Sequence, residues 1–232
     1  MLVIHTRTYV LPTYKVWQER YLMKKTKEEA EATRQAILQS ALDTFCEKGY
    51  SKTTFDEIAK RINLTKGAVY WHFRNKPDVI AALINAYCER QKKYIHDRIQ
   101  NPQSFNDLLR LFLCDADFIL SDENNRKMVF FMTCQMEWSE AIITKVLPQV
   151  AKNKEYWLNQ VKELLTFLQK SEEIGGCVNI ELLTHMLMNL WFGTLDAYLS
   201  KRCEIDLKTM VTESFNLIFN GLKKEGIENA SK

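Results

Sequence analysis

Residues 53–73 (TTFDEIAKRINLTKGAVYWHF) carry side chains that can bind phosphate groups and base edges. Thr54 and Thr65 each precede a run with helical spacing, so each is predicted to cap a helix whose N-terminal N–H groups attract phosphate. Lys66 follows the second cap and can donate to a guanine edge, while Gly67 lets the backbone approach closely. Three more polar side chains can hydrogen-bond phosphate oxygens: Tyr70, His72 and Lys76.

Two short helices must position these groups. Thr54 and Glu57 have the spacing of a capping box, which predicts the start of the first helix. Its apolar residues recur at helical spacing and predict one buried stripe: Phe55, Ile58, Ala59 and Ile62. Val69 and Phe73 bury the second helix, which leaves Lys66, Gly67, Tyr70 and Lys76 pointing outward. The pattern predicts a helix–turn–helix, and a generic helical hairpin remains the alternative.

Residues 33–84 resemble the DNA-binding domain of the tetracycline-repressor (TetR) family of transcription regulators. Within that family, MKKTKEEAEATRQAIL followed by TKGAVYWHF is most similar to the AcrR-type repressors of multidrug efflux. The resemblance implies a homodimer that binds a palindromic operator in double-stranded DNA and leaves it when a small lipophilic compound binds. The candidate DNA-binding residues are Thr54, Thr65, Lys66, Gly67, Tyr70, Trp71, His72 and Lys76.

The charge distribution agrees with a DNA-binding N-terminal part. The net charge of the 232 residues is only +3, but residues 23–76 hold 11 Lys and Arg against 7 Asp and Glu. A local basic excess is what an electrostatic footprint on DNA requires. Gly and Pro are scarce, with 7 and 4 residues, and this favours long helices over strands.

These signals predict an all-α chain of about nine helices in two domains. A three-helix helix–turn–helix domain is expected at 23–75, and a larger effector-binding and dimerisation domain at 76–232. The predicted helices outside the motif are 26–48, 75–100, 104–120, 122–138, 140–169, 179–201 and 206–224. Residues 1–22 show no clear period and precede a second Met. We expect them to be an extension from an upstream start, with a basic arm on DNA as the alternative.

The last two predicted helices are apolar around most of their circumference. Phe215 and Ile218 are examples in the last helix, and the helix before it is similarly apolar over 182–191. Such a helix is buried on both sides. The resemblance implies a four-helix dimer interface, and deep burial within one domain is the alternative.

Methionine and aromatic residues cluster at 128–138 and 186–192, where adaptable side chains suit a promiscuous pocket. Plain core is the alternative. Glu137 and Asp196 would favour a cationic lipophilic effector, with Trp138 or Trp191 adding cation–π attraction. The candidate ligand-binding residues are Phe131, Met132, Gln135, Trp138, Met188, Asn189, Trp191 and Phe192.

Other classes of function find little support in the sequence. Six scattered cysteines without a CxxC motif favour reduced thiols in a cytoplasm, and a cysteine-based redox sensor is the alternative. The four histidines lack a spaced partner motif, so we predict no catalytic residue, metal or cofactor; a helical enzyme or interaction module is the second alternative. The sequence contains no run of 18 apolar residues, so we predict no membrane span.

Overall fold

A computed structural model describes residues 14–202 and 204–222, with side chains from residue 26 onward. These ranges contain helices and no strand, which confirms the all-α prediction. The N-terminal helices are α1 (Tyr14–Lys48), α2 (Phe55–Arg61) and α3 (Lys66–His72). The remainder is α4 (Lys76–His96), α5 (Phe105–Ser121), α6 (Glu123–Phe130), a π-helical turn (Phe131–Gln135), α7 (Glu140–Lys170), α8 (Ile180–Leu199) and α9 (Leu207–Leu222).

The core of the N-terminal domain forms where α1 packs against α2 and α2 packs against α3. Helix α1 buries one apolar stripe: Ile37, Leu38, Ala41, Leu42 and Phe45. Ile58 of α2 and Val69 of α3 are fully buried as well. Gly49 follows the end of α1 with φ of +84°, a conformation that favours glycine, and its N–H bonds the Phe45 carbonyl at 2.9 Å.

The start of α1 differs from the prediction, because the helix begins at Tyr14 and not at Thr26. Residues 14–25 contain neither Gly nor Pro, so nothing in this stretch ends a helix, and Pro12 lies just before it. The expectation of a separate extension at 1–22 therefore overlaps α1, and its first 13 residues lie outside the described ranges.

Helix α4 leads from the helix–turn–helix into the C-terminal helices, where it packs against α5 and α7. The Asn75 side chain accepts a hydrogen bond from the Asp78 N–H at 2.9 Å, and Pro77 lies in the first turn, where its missing N–H does no harm. The helix ends at His96, short of the predicted Gln100. The Arg98 N–H bonds the Ile95 carbonyl at 3.0 Å, so the chain tightens into a turn there.

The other caps also lie where the sequence places them. Side chains of Ser104, Asp122, Asn179 and Asp206 accept hydrogen bonds from N–H groups two or three residues downstream. The predicted helix 122–138 is interrupted, however. After Phe130 the backbone widens into the π-helical turn, and Met136 is extended. Thr133 Oγ1 bonds back to the Val129 carbonyl at 2.9 Å and competes with the regular ladder.

None of the helices in the described residues is both long and apolar enough to cross a bilayer.

Candidate DNA interface and ligand cavity

The start of α2 is held by a reciprocal pair of hydrogen bonds. The Glu57 N–H donates to Thr54 Oγ1 at 3.3 Å, and the Thr54 N–H donates to Glu57 Oε2 at 2.9 Å. Lys48 donates to Glu57 Oε1 at 2.7 Å. The Lys48 and Thr54 hydrogen bonds lower the pKa of Glu57 to about 2. The Glu57 carboxylate is therefore ionised at neutral pH, and its hydrogen bond with Lys48 ties α2 to the end of α1.

Helix α3 presents polar and aromatic groups to solvent, as the sequence predicts. Thr65 Oγ1 accepts from the Ala68 N–H at 3.2 Å, and Lys66 and Gly67 follow in exposed positions. Tyr70 is 52% exposed while its ring meets Phe55 edge-on at 5.0 Å. Trp71 is 75% exposed. A helix of this size that buries only Val69 offers most of its surface to a partner.

Lys76 is placed differently from the expectation that it points freely outward. Its ammonium donates to the Tyr50 carbonyl at 2.8 Å and the Ser51 carbonyl at 3.2 Å, and it lies 4.4 Å from the centre of the Tyr50 ring. Burial lowers the pKa of Lys76. The reason is its position at the start of α4, which packs against the loop after α1. Two of its three donors are used, and one remains for a phosphate.

His72 is half-buried at the end of α3, with its ring edge-on to Trp71 at 4.5 Å. Burial, with a smaller effect from the nearby Arg34 guanidinium, lowers the pKa of His72 below its ordinary value of 6.5. The ring is thus neutral at pH 7. It can donate one hydrogen bond to a phosphate but adds no charge.

A cavity of about 260 Å³ lies among α4, α5, α6 with the π-helical turn, α7 and α8. Its walls are mostly apolar. Four of the eight predicted ligand-binding residues line it: Met132, Met188, Trp191 and Phe192. The sequence therefore identified two of the walls, since these residues come from the two methionine-rich segments.

The other four predicted residues lie elsewhere. Phe131 is fully buried and stacks on Phe45 at 5.4 Å between ring centres. Gln135 donates to the Cys46 carbonyl at 3.3 Å. Trp138 is 48% exposed, and Asn189 faces away from the cavity in an exposed position. The π-helical turn and the extended residues after it rotate Gln135 and Trp138 out of the register that a continuous helix would give.

The two carboxylates expected in the pocket are also outside it. Glu137 is exposed and accepts a hydrogen bond from Ser51, and Asp196 pairs with Arg202 at 3.3 Å. The acidic group that lines the cavity is Asp115 of α5. It accepts a hydrogen bond from Gln91 Nε2 at 2.6 Å, and burial raises the pKa of the Asp115 carboxyl to about 7.

The sequence carries a signal for Asp115 that the predicted set of ligand-binding residues does not include. Helix α5 buries Leu108, Phe112 and Ile119 along one stripe, and Asp115 occupies the same face. A charged residue at such a position either interrupts the core or faces a cavity.

Side-chain contacts also connect the cavity walls to the DNA-binding domain, besides α4. Lys127 of α6 donates to Asp43 of α1 at 2.8 Å, and it also pairs with Glu123 at 3.0 Å. The Phe45–Phe131 stack joins α1 to the π-helical turn. Met132 and Thr133, which line the cavity, immediately follow Phe131. This wall of the cavity is therefore in direct contact with α1.

Helices α8 and α9 expose apolar side chains. Leu182 is 59% exposed, Met186 52% and Leu217 75%. Phe215, expected at a dimer interface, is instead fully buried within the chain, because α9 packs its 207, 211, 215 and 219 positions against α5 and α8. Ile218 is partly buried.

The described cysteines are free thiols, and Cys203 lies outside the described residues. Burial raises the pKa of Cys46 and of Cys88 to about 11, which keeps both protonated and poorly reactive. Within 14–202 and 204–222, no group of His, Cys, Asp or Glu has the arrangement of a metal site.

Residues 37–83 match the family described as bacterial regulatory proteins, tetR family. Over 62 residues the chain is 47% identical to the transcriptional regulator AcrR of Shigella flexneri, a segment that covers 27% of this chain and 29% of AcrR. Among AcrR and similar relatives, the aligned segment covers less than half of each relative's length.

The likeness to solved structures extends over most of the chain. NalD, the secondary repressor of the MexAB-OprM multidrug efflux pump in Pseudomonas aeruginosa, has a TM-score of 0.72 at 23% identity, covering 85% of this chain and 98% of NalD. The complex of SmeT with triclosan has a TM-score of 0.70 at 24% identity, covering 84% and 94%; SmeT is a repressor from Stenotrophomonas maltophilia. These values show a shared fold. Residues 37–83 therefore carry a helix–turn–helix of the tetR family of bacterial regulatory proteins, and most of the chain shares the fold of NalD and SmeT.

Proposed function

We propose that this protein is a homodimeric repressor that binds a palindromic operator and leaves it when a small lipophilic ligand enters the cavity. One observation carries the proposal. Helix α4 starts beside the recognition helix α3 and contributes Ile84, Tyr87 and Gln91 to the cavity wall. The DNA-binding surface and the cavity therefore share one continuous element.

DNA binding would use α3 in the major groove. In a two-fold dimer, the two α3 helices read half-sites that lie about one helical turn, or a multiple of it, apart. Thr54, Thr65, Tyr70, Trp71 and His72 would contact the backbone. Lys66 and Gly67 at the N-terminal end of α3 would face base edges.

Ligand release would follow from the shape of the cavity. A ligand that holds α4, α6 and the π-helical turn in a new arrangement changes the separation of the two α3 helices. The operator affinity then falls by the ratio of the ligand's affinities for the two arrangements, and by no more. The Lys127–Asp43 pair and the Phe45–Phe131 stack would transmit this change to α1.

The names of proteins with a similar fold support a proposal for the kind of gene that this protein regulates. NalD is named as a repressor of a multidrug efflux pump, and SmeT has been solved with triclosan, a small lipophilic compound. By analogy, we propose an efflux or stress-response gene as the target of this cytoplasmic regulator.

The direct test is selection of fragments of the source genome on the purified protein, followed by a gel-shift titration. We expect a palindromic site, bound by a dimer, and release of that site by lipophilic compounds that quench tryptophan fluorescence. Recovery of fragments without a common palindrome would contradict operator recognition. Operator binding that no lipophilic compound weakens would contradict the effector role of the cavity.

Substitutions at two lysines should separate base reading from phosphate binding. Lys66→Ala is expected to relax specificity at one position of each half-site, because Lys66 is exposed at the start of α3. Lys76→Ala is expected to weaken all sequences alike and to reduce the slope of log K against log salt by about 1 per protomer. Gel-shift titrations on matched and mismatched operators across salt concentrations measure both effects. Lys145→Ala, which removes an exposed lysine paired with Asp78, is the control. If both variants at Lys66 and Lys76 bind like that control, α3 is not the reading helix.

A further inference from the structure

The cavity contains a carboxylate whose hydrogen-bond donor is neutral. Asp115 accepts a hydrogen bond from Gln91 Nε2 at 2.6 Å, and Trp191 lines the same cavity. A carboxylate has about four lone-pair sites, so acceptor positions remain after this bond. In an apolar cavity an ionised carboxylate attracts a cation more strongly than it would in water.

The orientation of Gln91 is fixed from the other side. Trp157 Nε1 donates to Gln91 Oε1 at 3.3 Å, so the amide nitrogen of Gln91 must face Asp115. Gln91 is therefore held as a donor, and it cannot turn its oxygen toward the carboxylate. Asp115 is thus presented to the cavity as an acceptor in a stable position.

A second acceptor lines the same cavity. The Oδ1 atom of Asn153, on α7, is buried and has no hydrogen-bond partner among the described residues. A buried acceptor without a donor is unfavourable, and such atoms commonly mark a place where a missing molecule donates. Asp115 and Asn153 together favour a ligand that donates hydrogen bonds.

The other titratable groups around Asp115 are neutral or solvent-facing. From α4, Tyr87 and Cys88 are buried, and burial raises the pKa of each, so both are protonated at neutral pH. From α7, Lys154 lines the cavity but is exposed. Helix α8 contributes Trp191, and the π-helical turn contributes Met132 and Thr133. When ionised, the Asp115 carboxylate is therefore the charged group that faces the interior of the cavity.

We propose that the effector is a lipophilic primary or secondary ammonium ion, whose N–H groups donate to Asp115 and Asn153 while its apolar part fills the cavity. This inference rests on the proposed function and narrows its ligand class. A quaternary ammonium ion carries the charge but has no N–H donor. An alcohol can donate a hydrogen bond but carries no charge. A primary or secondary ammonium ion satisfies both acceptors.

Four ten-carbon probes separate these chemistries: decylamine, decyltrimethylammonium, 1-decanol and decanoate. Trp157 and Trp191 line the cavity, so intrinsic fluorescence reports occupancy without DNA, and calorimetry gives an independent Kd. At pH 8 we expect decylamine to bind about tenfold or more tightly than each of the other three probes, the gain that charge-assisted hydrogen bonds provide.

Variants assign the preference to its residues. Asp115→Asn should weaken decylamine binding by about 10- to 100-fold and leave decanol binding nearly unchanged. Asp117→Asn is the matched control on the same helix, because Asp117 pairs with Lys208 and does not line the cavity. Asn153→Leu should weaken decylamine binding several-fold. It also keeps the test decisive if Asp115→Asn fails to fold.

The pH dependence provides a second readout. An alkylamine, like a lysine side chain, stays protonated between pH 6 and 8, so the change in this range comes from the protein. Burial raises the pKa of Asp115 to about 7, so its ionised fraction is about tenfold smaller at pH 6 than at pH 8. Decylamine should therefore bind about tenfold more weakly at pH 6, and this dependence should be lost in Asp115→Asn.

Four results would overturn the inference. Equal or tighter binding of decyltrimethylammonium would mean that aromatic faces read the charge without hydrogen bonds. Tightest binding of decanoate would make Lys154 the pairing group. Equal binding of all four probes, with operator release by each, would leave the repressor proposal standing and the amine preference refuted. No binding by any probe, with operator binding intact, would refute both the amine preference and the effector role of the cavity.

Discussion

Phe215→Glu is expected to unfold the C-terminal domain, whereas Leu217→Glu, two residues further along α9, should leave it folded. Phe215 is fully buried, with its ring 4.5 Å from Phe112 and 5.6 Å from Phe219. Burying a carboxylate there without a partner costs on the order of several kcal/mol, a large share of the stability of a typical domain. Leu217 is 75% exposed, so the same substitution meets solvent in the monomer.

Leu217→Glu should act on the dimer instead. In the proposed homodimer, Leu182, Met186 and Leu217 are the exposed apolar groups of α8 and α9 that a partner would cover. A glutamate at 217 would then lie in an apolar interface and favour the monomer. Operator affinity should fall about 100-fold or more, because a monomer contacts only one half-site.

Sedimentation equilibrium and thermal melts followed by circular dichroism distinguish the two effects. Leu147→Glu makes the same change at a 45% exposed position on α7, near the start of α4, and should remain dimeric. A dimeric Leu217→Glu protein would place the interface on other helices. A Phe215→Glu protein that melts within a few degrees of the unchanged chain would contradict the packing of α9.

Several helix starts after α1 could be predicted from the sequence, because each of these caps depends on atoms within three residues. Asn75 Oδ1 binds the Asp78 N–H, and Asn179 Oδ1 binds the Leu182 N–H, so the cap and its target are adjacent in the chain. The exposed side of α3 was predictable for a similar reason. The buried Val69 defines the inner face of this short helix, and its remaining residues follow from the helical period.

The faces of α8 and α9 could not be predicted in the same way. Both helices are apolar around most of their circumference, so the period does not say which side packs inside the chain. Phe215 and Leu217 look alike in the sequence, and only the position of α5 makes one core and the other surface. The environment of Lys76 was missed for a related reason, since its partners Tyr50 and Ser51 are 25 or more residues away.

Gln135 and Trp138 do not line the cavity, and their prediction as ligand-binding residues assumed one continuous helix over 122–138. The π-helical turn at Phe131–Gln135 changes which side chains share a face, and the extended chain that follows carries Trp138 to the surface. Met132 precedes most of this change and lines the cavity. The acidic member of the cavity, Asp115, lies on α5, outside both methionine-rich segments.

Phe131 and Trp138 are both among the predicted ligand-binding residues, but replacing each by alanine should change the stability by very different amounts. Phe131→Ala should lower the free energy of unfolding by about 3–5 kcal/mol, the range for deleting a buried phenylalanine side chain. The loss includes the stack on Phe45, whose rings are 5.4 Å apart and tilted by only 15°. Trp138→Ala should change the free energy of unfolding by only about 0.5 kcal/mol, because the Trp138 side chain is 48% exposed.

Urea denaturation measures both values, provided that the m-value stays constant and the change appears in the midpoint. Phe131→Leu is the intermediate control. It keeps most of the buried volume but removes the aromatic stack, so its loss should lie between those of the alanine variants. Similar losses for Phe131→Ala and Trp138→Ala would contradict the break at the π-helical turn. They would mean that Trp138 packs inside the protein, as a continuous helix over 122–138 would allow.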